Sequence, residues 1–322
     1  MNKKNNSYGL PYLGSKNSIA KEIISALPPA ENFYDLFCGG GALLCRAIES
    51  RKYKNFYAND INKLVINGLE KAFSGYYKTE NRWISKEDFW KLKDTDFYVY
   101  SCFSFGNKGT TYCYGTHIEP WKKAIHYARV FNDFSLLKEF GIDTDDASSS
   151  AILKREKEYK EKYINWYLDN YNIKQSKIKN ISNLCMLESL ERLNRLQSLE
   201  RLNRLQTKPN IFYSSKSYDE IEIKPNSIII CDIPYRNTCK YSIEKTISFD
   251  YDKFYNWCKR QTQLVFINEY SMPNDFIKIK SIVKRRLLLN FADEKSPSFN
   301  EEGLYIPKHL ETLYNSYNIS LI

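Results

Sequence analysis

Residues 228–235 read Ile-Ile-Ile-Cys-Asp-Ile-Pro-Tyr, and no other segment restricts the possible folds as strongly. Four consecutive apolar residues, Ile228 to Cys231, leave a strand no solvent-facing side. Such a strand must be covered on both faces, as in the parallel sheet of an α/β protein. The run stops in a turn carrying a carboxylate, a proline and an aromatic ring. Open α/β sheets hold their ligands beyond the carboxyl ends of the strands, where Asp232, Pro234 and Tyr235 fall. Asp232 and the backbone carbonyls near Ile233 and Pro234 can accept hydrogen bonds from an amino group, and Tyr235 offers a flat face. Together they suit a planar base held by its exocyclic amine. An Asp-x-Pro turn after a buried strand is also common where no site exists, so the turn does not decide by itself.

A second segment weighs in. Residues 33–41, Phe-Tyr-Asp-Leu-Phe-Cys-Gly-Gly-Gly, read as a strand (Phe33 to Phe37) running into a glycine turn. A helical pattern then resumes over Ala42 to Glu49. Strand, glycine turn, helix is the outline of a nucleotide-binding crossover, and glycines admit a ligand close to the backbone. The G-x-G-x-x-G spacing is missing, which argues against a dinucleotide. The next short strand, Asn55 to Asn59, ends at Asp60, about twenty residues past the glycines, where an acid can bond ribose hydroxyls.

Further upstream, Tyr12-Leu13-Gly14-Ser15-Lys16 combines an aromatic residue with a glycine turn ending in lysine. In this order, the Tyr12–Lys16 segment, the Phe-x-Asp-x-Phe-x-Gly-x-Gly loop, Asn59-Asp60-Ile61-Asn62 and Asp232-Ile233-Pro234-Tyr235 resemble the motifs of a Dam-type adenine-specific DNA methyltransferase. Phe249–Cys258 and Val265–Tyr270 are similar to its downstream segments. The resemblance spans roughly residues 8–75 and 212–310. It implies a Rossmann-like, doubly wound α/β methyltransferase sheet, residues 1–75 and 212–322, with a mostly helical target-recognition insert, residues 76–211. It implies S-adenosylmethionine as cofactor, held by Tyr12, Lys16, Asp35, Phe37, Gly39, Gly41, Asp60 and Asp232, and no metal. It also implies a catalytic turn of Asp232, Ile233, Pro234 and Tyr235 acting on an adenine flipped out of duplex DNA, and a cognate restriction nuclease as a further partner. The chain departs from the family at Ile233, where a proline is usual: isoleucine keeps the carbonyl but loses the fixed φ and adds an N–H. Arg236-Asn237 also replaces a residue-glycine pair. Methylation of RNA or of a cytosine amine, and a DNA-binding regulator with weakened catalysis, stay open on these residues.

The formal charge of +10 over 322 residues suits a polyanionic partner, since phosphate contacts supply most affinity for DNA. No stretch of eighteen apolar residues suggests a membrane span, and Met1–Asn6 lacks the apolar stretch of a signal peptide. The eight cysteines form no C-x-x-C pair and the histidines number three. This is the usage of reduced core thiols in a cytosolic protein, not of a zinc site.

Within the insert, residues 76–134 are dense in aromatics. Phe103-Ser104-Phe105-Gly106-Asn107-Lys108-Gly109-Thr110-Thr111-Tyr112 reads as a glycine-rich, polar loop, similar to the family's Asn/Gly-containing segment near the target site. Lys108 would meet phosphate, and Asn107, Thr110 and Thr111 would meet bases; an aromatic mini-core carrying a surface hairpin is the compatible alternative. Asp143–Ser150 reads as an acidic, serine-rich surface link, and Lys154–Lys162 as a mixed-charge helix face. The nonapeptide Ser-Leu-Glu-Arg-Leu-Asn-Arg-Leu-Gln stands twice without change, at 189–197 and 198–206. Its leucines recur every third residue, so in an α-helix the apolar stripe winds around the axis. Arg192, Arg195, Arg201 and Arg204 would form a basic stripe beside it. A duplication tolerated in a surface segment is the plainer reading. After Asp232, Asp252–Arg260 reads as a helix, Gln263–Ile267 as a strand and Leu304–Ile306 as a closing edge strand. Lys284–Arg286 is read as touching phosphate or solubilising a turn.

Overall fold

A computed structural model describes residues 9–142, 149–171, 192–194, 197, 199, 209–235, 249–285 and 299–319. The chain divides into two compact units, one comprising Met1–Tyr76 with Arg195–Ile322, the other Tyr77–Asn194. The sequence reading sets these junctions at 75/76 and 211/212. Among the described residues no helix is long and apolar enough to cross a membrane.

The first unit is built on a seven-stranded sheet. Its strands are β1 (Asn32–Asp35), β2 (Asn55–Asn59), β3 (Asn210–Ser214), β4 (Ser227–Cys231), β5 (Leu264–Glu269), β6 (Phe276–Arg285) and β7 (Phe299–Pro307). Their order is β3-β2-β1-β4-β5-β7-β6. The first five run parallel, and β7 is antiparallel to both β5 and β6. Every residue of β1, β4 and β5 is buried, as the unbroken apolar run at Ile228–Cys231 requires.

Helices cover both faces. On one, Phe254, Tyr255 and Trp257 of the helix Tyr251–Lys259 form a cluster with Tyr34, Ile229, Val265 and Ile267. On the other, Phe266 meets Tyr314 of the helix Glu311–Ile319 with ring centroids 5.8 Å apart. Helix α1 (Ala20–Ala26) packs on α2 (Ala42–Ser50), and α2 on β1 and β2. Helix α3 spans Lys63–Ser74. Asn62 takes its N-cap and accepts the Leu64 N–H at 3.1 Å. Gly75, in the left-handed region at φ 81°, ends it.

Two strand assignments need correction. Leu304–Ile306 belongs to β7, which lies inside the sheet between β5 and β6; Leu304 and Ile306 are fully buried. The edge is β6, whose Lys278 and Lys280 make it read as a solvated segment. Charged side chains are how exposed sheet edges resist pairing with other chains. Lys284 and Arg285 are the last residues of β6, paired with Asn300 and Phe299, so they do not form a turn; Arg286 lies outside the described residues.

The second unit is helical, with helices Lys86–Leu92, Phe97–Cys102, Glu119–Val130, Ser135–Lys138 and Ser149–Tyr171. Trp121, Phe140, Tyr159, Tyr163 and Tyr167 form its core with Ala124 and Leu137. Ser149 and Ser150 open the last helix and do not belong to a link, and residues 143–148 lie outside the described residues. Lys162 pairs with Glu158 on that helix at 3.2 Å.

Phe103–Tyr112 forms the hairpin of the alternative reading. Ser104 bridges Tyr112, and the Phe105 N–H donates to the Thr111 carbonyl at 2.7 Å. Its base is aromatic: Phe103, Tyr112 and Tyr114 are buried, and Trp83 stacks on Tyr114. Of the tandem repeat, only residues 192–194, 197 and 199 are described, so Arg195, Arg201 and Arg204 lie outside the described residues. The Arg192 guanidinium donates to the carbonyls of Cys102 (3.1 Å) and Ser104 (2.7 Å), at the foot of the hairpin. Leu193 and Leu199 are buried.

Candidate active site

The sheet order reverses at β1, which has β2 on one side and β4 on the other. Strand register brings the three carboxyl ends level, with Asp35 opposite both Ala58 and Ile230. The segments after these ends carry Gly39–Gly41, Asp60 and Asp232–Tyr235. Two chain segments nearly two hundred residues apart therefore meet at a switch point, where α/β sheets form their ligand crevice.

The glycine loop is held by backbone bonds. The Cys38 N–H donates to the Asn59 carbonyl at 2.9 Å and the Gly41 N–H to Cys38 at 2.7 Å. Asp60 clamps the next link: its Oδ2 accepts the Gly39 N–H and its Oδ1 the Asn62 N–H, both at 2.9 Å. Gly39 is at φ 46°, and a Cβ there would sit 3.1 Å from the Tyr12 ring. Tyr12 thus lies close against the loop, where the positive φ and the tight Cβ position both favour glycine.

A cavity of about 320 Å³ opens here, within the size range of small-molecule sites. Of the residues expected from sequence, Tyr12, Lys16, Phe37, Gly39, Asp60, Asp232 and Pro234 line it. Ile61, 60% exposed, and Asn62, Ser217, Tyr218 and Phe249 complete much of its wall.

Asp35, Gly41, Ile233 and Tyr235 are not among the lining residues. Gly41 is the N-cap of α2 at φ 72°, and a Cβ there would lie 2.8 Å from Leu69. Ile233 is 2% exposed and belongs to the core cluster. Asp35 is 1% exposed. Burial, then the charges of Asp232 and Asp60, hold its carboxyl well above the usual carboxylate range, with the Leu44 N–H acting weakly against them. Asn107, Lys108, Thr110 and Thr111 belong to the helical unit. There Lys108, Thr110 and Thr111 are exposed and Asn107 is half-buried at φ 58°.

A buried polar network backs the Asp232 turn. Lys16 Nζ lies 3.0 Å from Asp232 Oδ1 and 3.8 Å from Glu302 Oε2. Tyr235 Oη donates to Glu302 Oε2 at 2.8 Å; Asn268 Nδ2 donates to the same oxygen at 2.8 Å and to Tyr235 Oη at 2.6 Å. Lys16 also sits 4.4 Å from the Tyr235 ring centroid, and Tyr270 meets that ring edge-on at 4.9 Å. The Tyr235 ring, expected as a stacking face, thus already carries a cation and a second ring.

Burial opposes the Lys16 charge, but Asp232 and Glu302 outweigh it and hold its pKa above the lysine value. Burial raises the Asp232 carboxyl above its usual range and Glu302 adds to this, while Lys16 pulls the other way. Burial also raises the Tyr235 hydroxyl, which stays protonated and able to donate. Sequence reasoning missed Glu302 altogether, and gave Asn268 no role although it stands in a family-like run. Glu301-Glu302 reads as a solvated acidic pair, yet only Glu301 is exposed. Strand alternation is the one signal that could have separated the two.

A family model for D12 class N6 adenine-specific DNA methyltransferases matches residues 12–291. No curated protein matches the chain. The matched span covers both the glycine loop and the Asp232 turn, and the seven-stranded α/β sheet is the fold such an enzyme requires. The chain therefore belongs to the D12 class N6 adenine-specific DNA methyltransferases, enzymes that methylate adenine N6 in DNA at the expense of S-adenosylmethionine.

Proposed function

We propose that the cavity beside Gly39 is the S-adenosylmethionine site and that the Asp232 turn receives the adenine amine at its edge. One observation carries this reading: Asp232 and Pro234 line the same cavity as Gly39 and Asp60. A donor held by the loop would then lie against the turn that holds the acceptor. The cavity fits the cofactor chemically. Asp60 uses one lone pair on each oxygen for a backbone N–H and keeps others for ribose hydroxyls. Ile61 and Phe37 supply apolar surface for a flat ring, and Tyr12 closes over the glycines. When bound, the cofactor supplies a sulfonium-activated methyl group.

Asp232 accepts a hydrogen bond from the adenine amine and orients its lone pair, an effect of positioning. It must be ionised to do so. Lys16 favours that form, and the Glu302–Asn268 pair keeps Tyr235 in place behind it. The base reaches such a turn only if it leaves the duplex stack. We assign DNA recognition to the unit Tyr77–Asn194, with Lys108 on phosphate and Asn107, Thr110 and Thr111 near bases. This is supported by their position on an exposed hairpin and by the +10 net charge. A restriction nuclease cleaving the same unmethylated sequence is the partner this activity would serve.

Asp60→Ala tests the cofactor site. It should weaken S-adenosylmethionine binding by about tenfold or more, the worth of charge-assisted hydrogen bonds. Calorimetric titration reads the affinity, and circular dichroism checks that the fold is intact. Unchanged affinity in a folded variant removes Asp60 from the site.

A further inference from the structure

The turn carries an unusual residue at its second position, and the structure shows how it is braced. Asp232 is fixed by Lys16, and Tyr235 by Glu302 and Asn268. Pro234 has its φ set by its ring and restricts the residue before it to extended backbone. Ile233, where the family usually has a second proline, has no ring to fix its φ. Two features restrain this stretch. The Ile233 side chain is 2% exposed and packed in the cluster with Phe254 and Tyr255. Tyr251, which packs on the same cluster, donates its hydroxyl to the Pro234 carbonyl at 2.9 Å. Tyr251 is itself well anchored. It is the first residue of a helix whose N-cap, Asp250, accepts the Lys253 N–H at 2.9 Å, and its ring meets Phe249 edge-on at 5.0 Å.

We infer that Tyr251 is a positioning residue for methyl transfer: its hydrogen bond to Pro234, together with the burial of Ile233, supplies the rigidity that a second proline would give. The inference rests on the reading of Asp232–Tyr235 as the acceptor turn. Tyr251 does not touch the reacting atoms. It holds the peptide plane after Pro234, and through it the carbonyls and the carboxylate that face the amine. Small displacements of such groups are costly, because positioning is what they contribute.

The test is a double-mutant cycle in the full-length chain, using Tyr251→Phe, Ile233→Pro and the pair. Tyr251→Phe should lower kcat for DNA methylation about fivefold, the scale of one neutral hydrogen bond. Cofactor affinity and melting temperature should stay close to wild type. In the Ile233→Pro background, where a ring fixes φ, the same change should cost less than about twofold. An equal cost in both backgrounds, or no cost in either, overturns the inference. If Ile233→Pro does not fold, Ile233→Ala takes its place. It removes the packing brace, so the Tyr251→Phe cost should grow, and an unchanged cost is again contrary. Failure of the underlying reading looks different: Asp232→Ala would retain methylation whatever Tyr251 does.

Discussion

Asp232→Ala is expected to lower the methylation rate by about 10³-fold or more, on the scale of removing a preorganised group that acts in the transition state, while S-adenosylmethionine still binds. The asymmetry follows from the geometry. The cofactor would be held mainly by Asp60, the glycine backbone and apolar walls, whereas Asp232 faces both the cavity and the turn. The fold should survive, because Lys16 keeps a second carboxylate, Glu302, at 3.8 Å. Single-turnover transfer of labelled methyl, with calorimetric titration of the cofactor, separates the two effects. Rates near wild type would remove Asp232 from the chemistry. Wild-type activity should also fall as pH drops through the raised Asp232 pKa, an acid limb above that of an ordinary aspartate, because only the ionised carboxylate accepts from the amine.

Lys16→Met should give the second large effect, on stability and on pH dependence together. Lys16 is 7% exposed and, among the described residues, is the cation within 4 Å of both Asp232 and Glu302. Removing one partner of a buried ionic set leaves uncompensated charge and costs about 3–5 kcal/mol. Here two carboxylates would be left facing each other. The sign of the pH effect follows from linkage. Lys16 lowers the Asp232 pKa, so without it the folded-state value rises further above the unfolded one. The folded variant then binds protons that the unfolded chain releases. Its deficit should therefore be largest at neutral pH and should shrink as pH falls through the raised folded-state pKa. The acid limb of activity should move to higher pH for the same reason. Urea unfolding near neutrality and in mild acid reads the first effect, and a rate profile the second. A deficit that grows on acidification contradicts the ion-pair account.

The parts of the fold legible from sequence were those where burial writes itself into composition. β4 carries the unbroken run Ile228–Cys231 and β5 opens on Leu264–Ile267 because both faces are covered, and β1 was legible from Phe33-Tyr34 running into the glycine turn. The sheet edges were not legible. β3 is only half-buried, and its three apolar residues, Ile211 to Tyr213, are too short a run to mark a strand alone, while β6 intersperses lysines. β7 was assigned to the edge because nothing in Leu304–Ile306 tells how many neighbours a strand has. The site divides the same way. Gly39, Asp60 and Asp232 stand out because turns and strand ends expose unusual residue types at set spacings. Glu302 does not, because its partners Lys16 and Tyr235 are distant in sequence and only the sheet brings them together. Tyr235 shows the converse: its residue type suggested a free stacking face, and the fold surrounds it with Lys16, Tyr270, Asn268 and Glu302. Asp35 and Gly41 matched a motif, but one lies buried beneath the cavity loop and the other caps a helix.

The central claim is that the glycine loop and the Asp232 turn form a single site joining methyl donor to adenine acceptor. The direct measurement is nucleoside analysis of DNA and RNA incubated with the protein and labelled S-adenosylmethionine, run in parallel with Asp232→Ala. The account predicts label in N6-methyladenine of DNA, and none with the variant although it still binds the cofactor. Label on cytosine or in RNA alone, or transfer that persists in the variant, would contradict it.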